Sequence, residues 1–126
     1  GYKDVVVYIP NEVQQGTCGF DEVMAHEQKH IAVNRSILDE FIPRIQGKLE
    51  AFLKINGVMR QTNPEYASSL VRAKMQAILA EVSQDIVQEN QQRQRMVDTP
   101  EEYTRLSNSC NGDLKRVAAQ YMRGAR

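Results

Sequence analysis

The chain has 126 residues, of which 41% are hydrophobic, and its 16 basic and 16 acidic side chains give a formal net charge of zero. That length supports one hydrophobic core, so a single domain over 1–126 is expected, and the balanced charge leaves no basic footprint for nucleic acid or an anionic membrane. No run of about 18 apolar residues is present and the first residues lack the basic and apolar regions of a signal peptide, so neither a membrane span nor a retained signal is expected.

Taken in order, Asp4-Val5-Val6-Val7-Tyr8-Ile9 is β-branched and aromatic and stops at Pro10, which reads as one short strand. A loop over residues 11–19 follows. A helical pattern then begins near Phe20 or Asp21 and runs to about residue 55, with Val23, Glu27, His30, Asn34, Ile37, Phe41, Ile45, Leu49 and Phe52 on one face. Pro43 inside it predicts a kink or break near Phe41 and Ile42, and Asn56-Gly57 supplies the stop.

Asn63 and Pro64 suit the cap and first position of a second helix. Its apolar stripe is Ala67, Val71, Met75, Ile78 and Val82, and the same spacing continues through Asp85 and Glu89. If the two helices form an antiparallel hairpin about a turn near 56–63, His30 faces residue 89 and Asn34 faces residue 85. The tract from Asn90 to Arg95 reads as a wet surface. Thr99 as cap, Pro100 as first helical residue and Glu102 closing a capping box predict a third helix over about 101–107. Asn111-Gly112 breaks it, and Leu114, Val117, Ala118 and Tyr121 mark a last helical segment over 114–122, with a frayed end beyond it. The fold class expected is therefore mainly α: a long antiparallel helical hairpin, one short N-terminal strand and short C-terminal helices.

The chemistry concentrates in His26-Glu27-Gln28-Lys29-His30, which uses the only two histidines of the chain in an H-E-x-x-H pattern. On a helix, positions i and i+4 share a face, so both imidazoles can reach one Zn2+ ion while Glu27 projects beside them as general base toward a metal-activated water. The alternative is a pair of solvated or core histidines without a metal. A catalytic zinc takes three protein ligands. With no third histidine, the remaining ligand is expected to be a carboxylate: Glu89 from the facing position, with Asp85, Glu101 and Glu102 as the other candidates. Tyr103 shares the cap region and is a candidate to stabilise a developing oxyanion. The strand edge at residues 4–9 could receive an extended peptide or protein substrate.

Cys18 and Cys110 are the only cysteines and lie 92 positions apart (110 minus 18). The even count favours a disulfide over two free thiols, and a disulfide implies an oxidising compartment.

A strand, then H-E-x-x-H on a helix, then a carboxylate-bearing helix resembles the zincin metallopeptidases, in particular their glutamate-ligand branch. The stretch from Cys18 to Cys110 is similar to uncharacterised bacterial secreted families of zinc-dependent proteases. The resemblance implies His26 and His30 as ligands, Glu27 as base and a periplasmic or secreted location. In those relatives an aspartate-threonine segment leads to a histidine, whereas Asp98-Thr99 leads here to Glu101, Glu102 and Tyr103, so the third ligand stays open. Zincins also place a multi-stranded sheet before the active helix, and this chain offers one strand. Two functions are therefore set against each other: a zinc-dependent peptidase or amide hydrolase, and a non-catalytic secreted helical interaction module with a structural or absent metal. Either admits a homodimer through an apolar helix face. An open metal position separates them.

Overall fold

The Thr17 hydroxyl accepts the backbone N–H of Phe20, and the Thr17 carbonyl accepts that of Asp21, so the first helix starts two to three residues earlier than the hydrophobic pattern alone indicates. In the computed structural model, which describes residues 4–56 and 63–124, this helix, α1, spans Cys18–Asn56. It is followed by α2 (Pro64–Val97), α3 (Pro100–Asn108), a single 3-10 turn (Cys110–Gly112) and α4 (Asp113–Gly124). The mainly helical class is as expected. The turn near 56–63 and the stop at Gly57 lie outside the described residues.

Two other expectations are corrected. The segment expected as a strand, Asp4–Ile9, carries no regular structure, and Tyr8 within it is 89% exposed. A strand needs a ladder partner for its N–H and C=O groups, and the described residues contain no second strand to pair with. Of the kink or break expected near Phe41 and Ile42, the break does not occur: α1 continues through Pro43 to Asn56.

The caps follow local chemistry. Asn63 Oδ1 accepts the N–H groups of Glu65 (2.9 Å) and Tyr66 (3.3 Å) at the start of α2. Thr99 does the same for Glu102 at the start of α3, with Pro100 in the first turn. The Glu102 carboxylate is not used to close a capping box; it is turned toward α1 instead.

The described residues divide into two compact units. In the unit made of 35–91, Ile37 and Phe41 of α1 and Ile78 and Val82 of α2 are buried. Truncating one of these to alanine would cost on the order of 2–5 kcal/mol. Arg44 bonds Asp85 and Lys48 bonds Glu81, both at 2.8 Å, and the Arg44 guanidinium lies over the Phe41 ring. These pairs step up α1 and down α2, so the helices run in opposite senses here. The expected register is corrected: Asp85 meets Arg44, about three turns along α1 from the Asn34 position assigned to it. Side-chain packing sets the offset between two helices, and the midpoint of their turn does not.

The other unit takes 4–34 and 92–124 of the described residues, and is organised by pairings four residues apart along α1. Cys18 is disulfide-bonded to Cys110, with Cα atoms 5.9 Å apart. Glu22 then pairs with Arg105, His26 with Glu102, His30 with Asp98, and Asn34 with Gln94. The first half of α1 therefore lies against the segment 94–110 running the opposite way. Gly19 permits the close approach of α4 to α1, since a Cβ there would stand 3.1 Å from Leu114 Cδ2. Cys110, Asn111 and Gly112 all have positive φ (53°, 55° and 78°), a left-handed turn that reverses the chain into α4. Among the described residues no helix is long and apolar enough to cross a membrane.

Candidate metal centre

The i, i+4 spacing on α1 puts the two imidazoles on one face, with ring centroids 4.8 Å apart in a T-shaped arrangement. His26 is buried at 6% exposure and His30 is half-buried. Their Nε2 atoms lie 3.2 Å from each other. Asp98, in the link between α2 and α3, brings Oδ1 to 3.3 Å from His26 Nε2 and 3.1 Å from His30 Nε2. Three donor atoms thus form a nearly equilateral triangle. Tetrahedral ligands at zinc bond lengths of about 2.0–2.1 Å stand roughly 3.3–3.4 Å from one another, so the triangle matches one face of such a site.

On the far side of each ring, Nδ1 meets a side-chain oxygen. His26 Nδ1 faces Glu102 Oε1 at 3.3 Å, and His30 Nδ1 faces Gln94 Oε1. Arg105 and Lys29, both bonded to Glu102, hold its carboxyl well below the usual carboxylate range, so it is an acceptor only. A ring that carries its hydrogen on Nδ1 donates outward to these acceptors and keeps a bare Nε2. Two lone pairs and a carboxylate oxygen within 3.3 Å repel unless a cation, a metal ion or a proton, lies among them. Carboxylate-supported histidines are the usual outer layer of protein metal sites. The donor set, two imidazoles and one carboxylate, suits zinc.

The Tyr103 hydroxyl donates to Asp98 Oδ1 at 3.0 Å, and its ring stands 5.9 Å from that of His26. This bond to Asp98 is the main reason the phenol is held above its ordinary value, with burial and the charges of Asp98 and Glu27 adding to it. Asp98 is 38% exposed at its side chain, so the triangle has an edge reaching solvent. Among the described residues only His26, His30 and Asp98 form a group of this kind, with no fourth histidine, cysteine or carboxylate in it.

Of the residues singled out in the sequence, His26, His30 and Tyr103 meet here, and half-buried Glu27 adjoins His26 in the chain. Glu89 is not in the triangle: it lies in the 35–91 unit, as does Asp85, which bonds Arg44. Glu102 supports His26 from the Nδ1 side, where its oxygen is turned away from Nε2. Glu101 is exposed and is also outside the group. Asp98 and Gln94 were not among the sequence candidates. The disulfide held the signal for both: with Cys18 against Cys110 and α1 antiparallel to what precedes Cys110, counting back in fours reaches His26 beside 102, His30 beside 98 and Asn34 beside 94.

Compared with known proteins, the chain matches no family model, no curated protein and no solved structure.

Proposed function

We propose that this chain is a zinc-dependent peptidase or amide hydrolase of the zincin kind, in which His26, His30 and Asp98 hold the metal and Glu27 is the general base. The observation that carries the reading is the triangle of His26 Nε2, His30 Nε2 and Asp98 Oδ1, with edges of 3.1–3.3 Å on an H-E-x-x-H helix. Asp98 replaces Glu89 as third ligand in this proposal. Zinc bound there would polarise a scissile carbonyl and acidify a water. Glu27 would take a proton from a water as its oxygen bonds to the carbonyl carbon, and would pass that proton to the amine nitrogen as the C–N bond breaks. Tyr103 steadies Asp98 by donating its one hydroxyl hydrogen to Oδ1, and would serve charge developing on the carbonyl oxygen only by turning that hydrogen away from Asp98. Glu102 and Gln94 keep both imidazoles facing inward.

The Cys18–Cys110 disulfide supports a periplasmic or secreted setting, because such bonds persist in oxidising compartments. A second reading, a non-catalytic secreted interaction module that also admits a homodimer, is favoured by a different observation. In the 35–91 unit Ile42, Leu53, Ile55, Tyr66, Leu70, Met75, Leu79 and Val87 are all substantially exposed.

Elemental mass spectrometry on protein purified without chelator or affinity metal tests the choice. The proposal expects about one zinc per chain in the wild type. It expects loss in folded His30→Ala and Asp98→Ala, and retention in Glu89→Ala. A wild type that takes up no zinc, even after zinc is added back, overturns it and leaves the interaction module.

A further inference from the structure

The polar tract from Asn90 to Arg95 reads in the sequence as wet surface, yet Gln94 within it is half-buried against the histidine pair. In its side-chain amide, Nε2 donates to Asn34 Oδ1 at 3.0 Å and to the His30 backbone carbonyl at 3.4 Å, and Oε1 faces His30 Nδ1. A backbone carbonyl only accepts, so the amide nitrogen must be the atom turned toward it. The amide oxygen is thereby committed to His30 Nδ1.

We infer that Gln94 is a positioning residue that places the single hydrogen of neutral His30 on Nδ1, and so turns the Nε2 lone pair of His30 toward His26 Nε2 and Asp98 Oδ1. Asn34 belongs to the same device, since its oxygen helps fix the amide orientation. An isolated imidazole has no such constraint. The consequence for metal affinity rests on the zinc reading above; the tautomer assignment does not.

The two parts can be tested separately. The chain has only two histidines, so long-range 1H–15N correlation spectra of 15N-histidine-labelled protein show two rings, assigned with a His26→Gln variant. In metal-free, chelator-treated protein at about pH 8, where histidine is ordinarily neutral, His30 carries its hydrogen on Nδ1. Gln94→Glu keeps an acceptor at that position and preserves the pattern. Gln94→Leu removes it, moves the hydrogen to Nε2, and lowers zinc affinity in a chelator competition by roughly 10- to 100-fold. Hydrogen on Nε2 of His30 in the folded wild type, or an unchanged tautomer in folded Gln94→Leu, overturns the inference. The expected tautomers in a protein that binds no zinc would uphold Gln94 and sink only the metal reading.

Discussion

His26 and His30 face each other through Nε2 atoms 3.2 Å apart, while their Nδ1 atoms point away to Glu102 and Gln94. One turn of helix brings the two rings together, but the lone-pair directions come from residues 76 and 64 positions away. Both rings, with Asp98, then present acceptors to a common point, and four consequences are open to measurement.

Zinc is expected to raise the melting temperature. At free zinc 100-fold above Kd, binding to the folded state alone adds about 2.7 kcal/mol. Thermal unfolding followed by circular dichroism should show the rise in wild type, its reversal by EDTA, and its absence in Asp98→Ala.

Glu27→Gln is expected to leave zinc content and fold unchanged while reducing turnover of a cleavable peptide by roughly 10²- to 10⁴-fold, the range for loss of a general base. Metal analysis together with a peptide-library assay checks it. Full activity in the variant would remove Glu27 from the chemistry.

Breaking the Cys18–Cys110 bridge removes a cross-link across a separation of 92 residues. The chain-entropy model assigns such a loop about 4–5 kcal/mol. Urea unfolding of Cys18→Ser/Cys110→Ser should therefore show a large fall in midpoint. Its zinc affinity should fall too, because the bridge anchors the register that brings Asp98 to His30.

The Glu102 carboxyl is depressed in the folded state by Arg105 first and Lys29 second, with His26 adding to it. A depressed carboxyl stabilises the fold above its unfolded pKa, near 4.3, and loses that contribution as the pH falls toward the folded value. In chelator-treated protein, Glu102→Gln should therefore lower the melting temperature at neutral pH. The gap to wild type should narrow progressively below about pH 4.

Much of this was legible in the residues. Asn63 with Pro64 and Thr99 with Pro100 marked two helix starts, since capping is chemistry within three residues. Thr17 carries no such mark, because the apolar pattern begins only after it. The run Asp4–Ile9 has strand propensity but finds no ladder, which shows propensity yielding to the lack of a partner. Glu89 faces His30 only if the chain folds about the midpoint of the turn. The pairs Arg44–Asp85 and Lys48–Glu81 show that the helices are offset from that midpoint.

The sequence by itself determined the helices, their caps and the presentation of His26, Glu27 and His30 on α1, because each depends on spacings of three or four residues along one backbone. Only the tertiary structure decided that Asp98 closes the triangle, that Glu102 leaves its capping box to support His26, and that Gln94 orients His30. Those choices depend on how far one segment slides along another before their side chains interlock, and no local spacing encodes that distance.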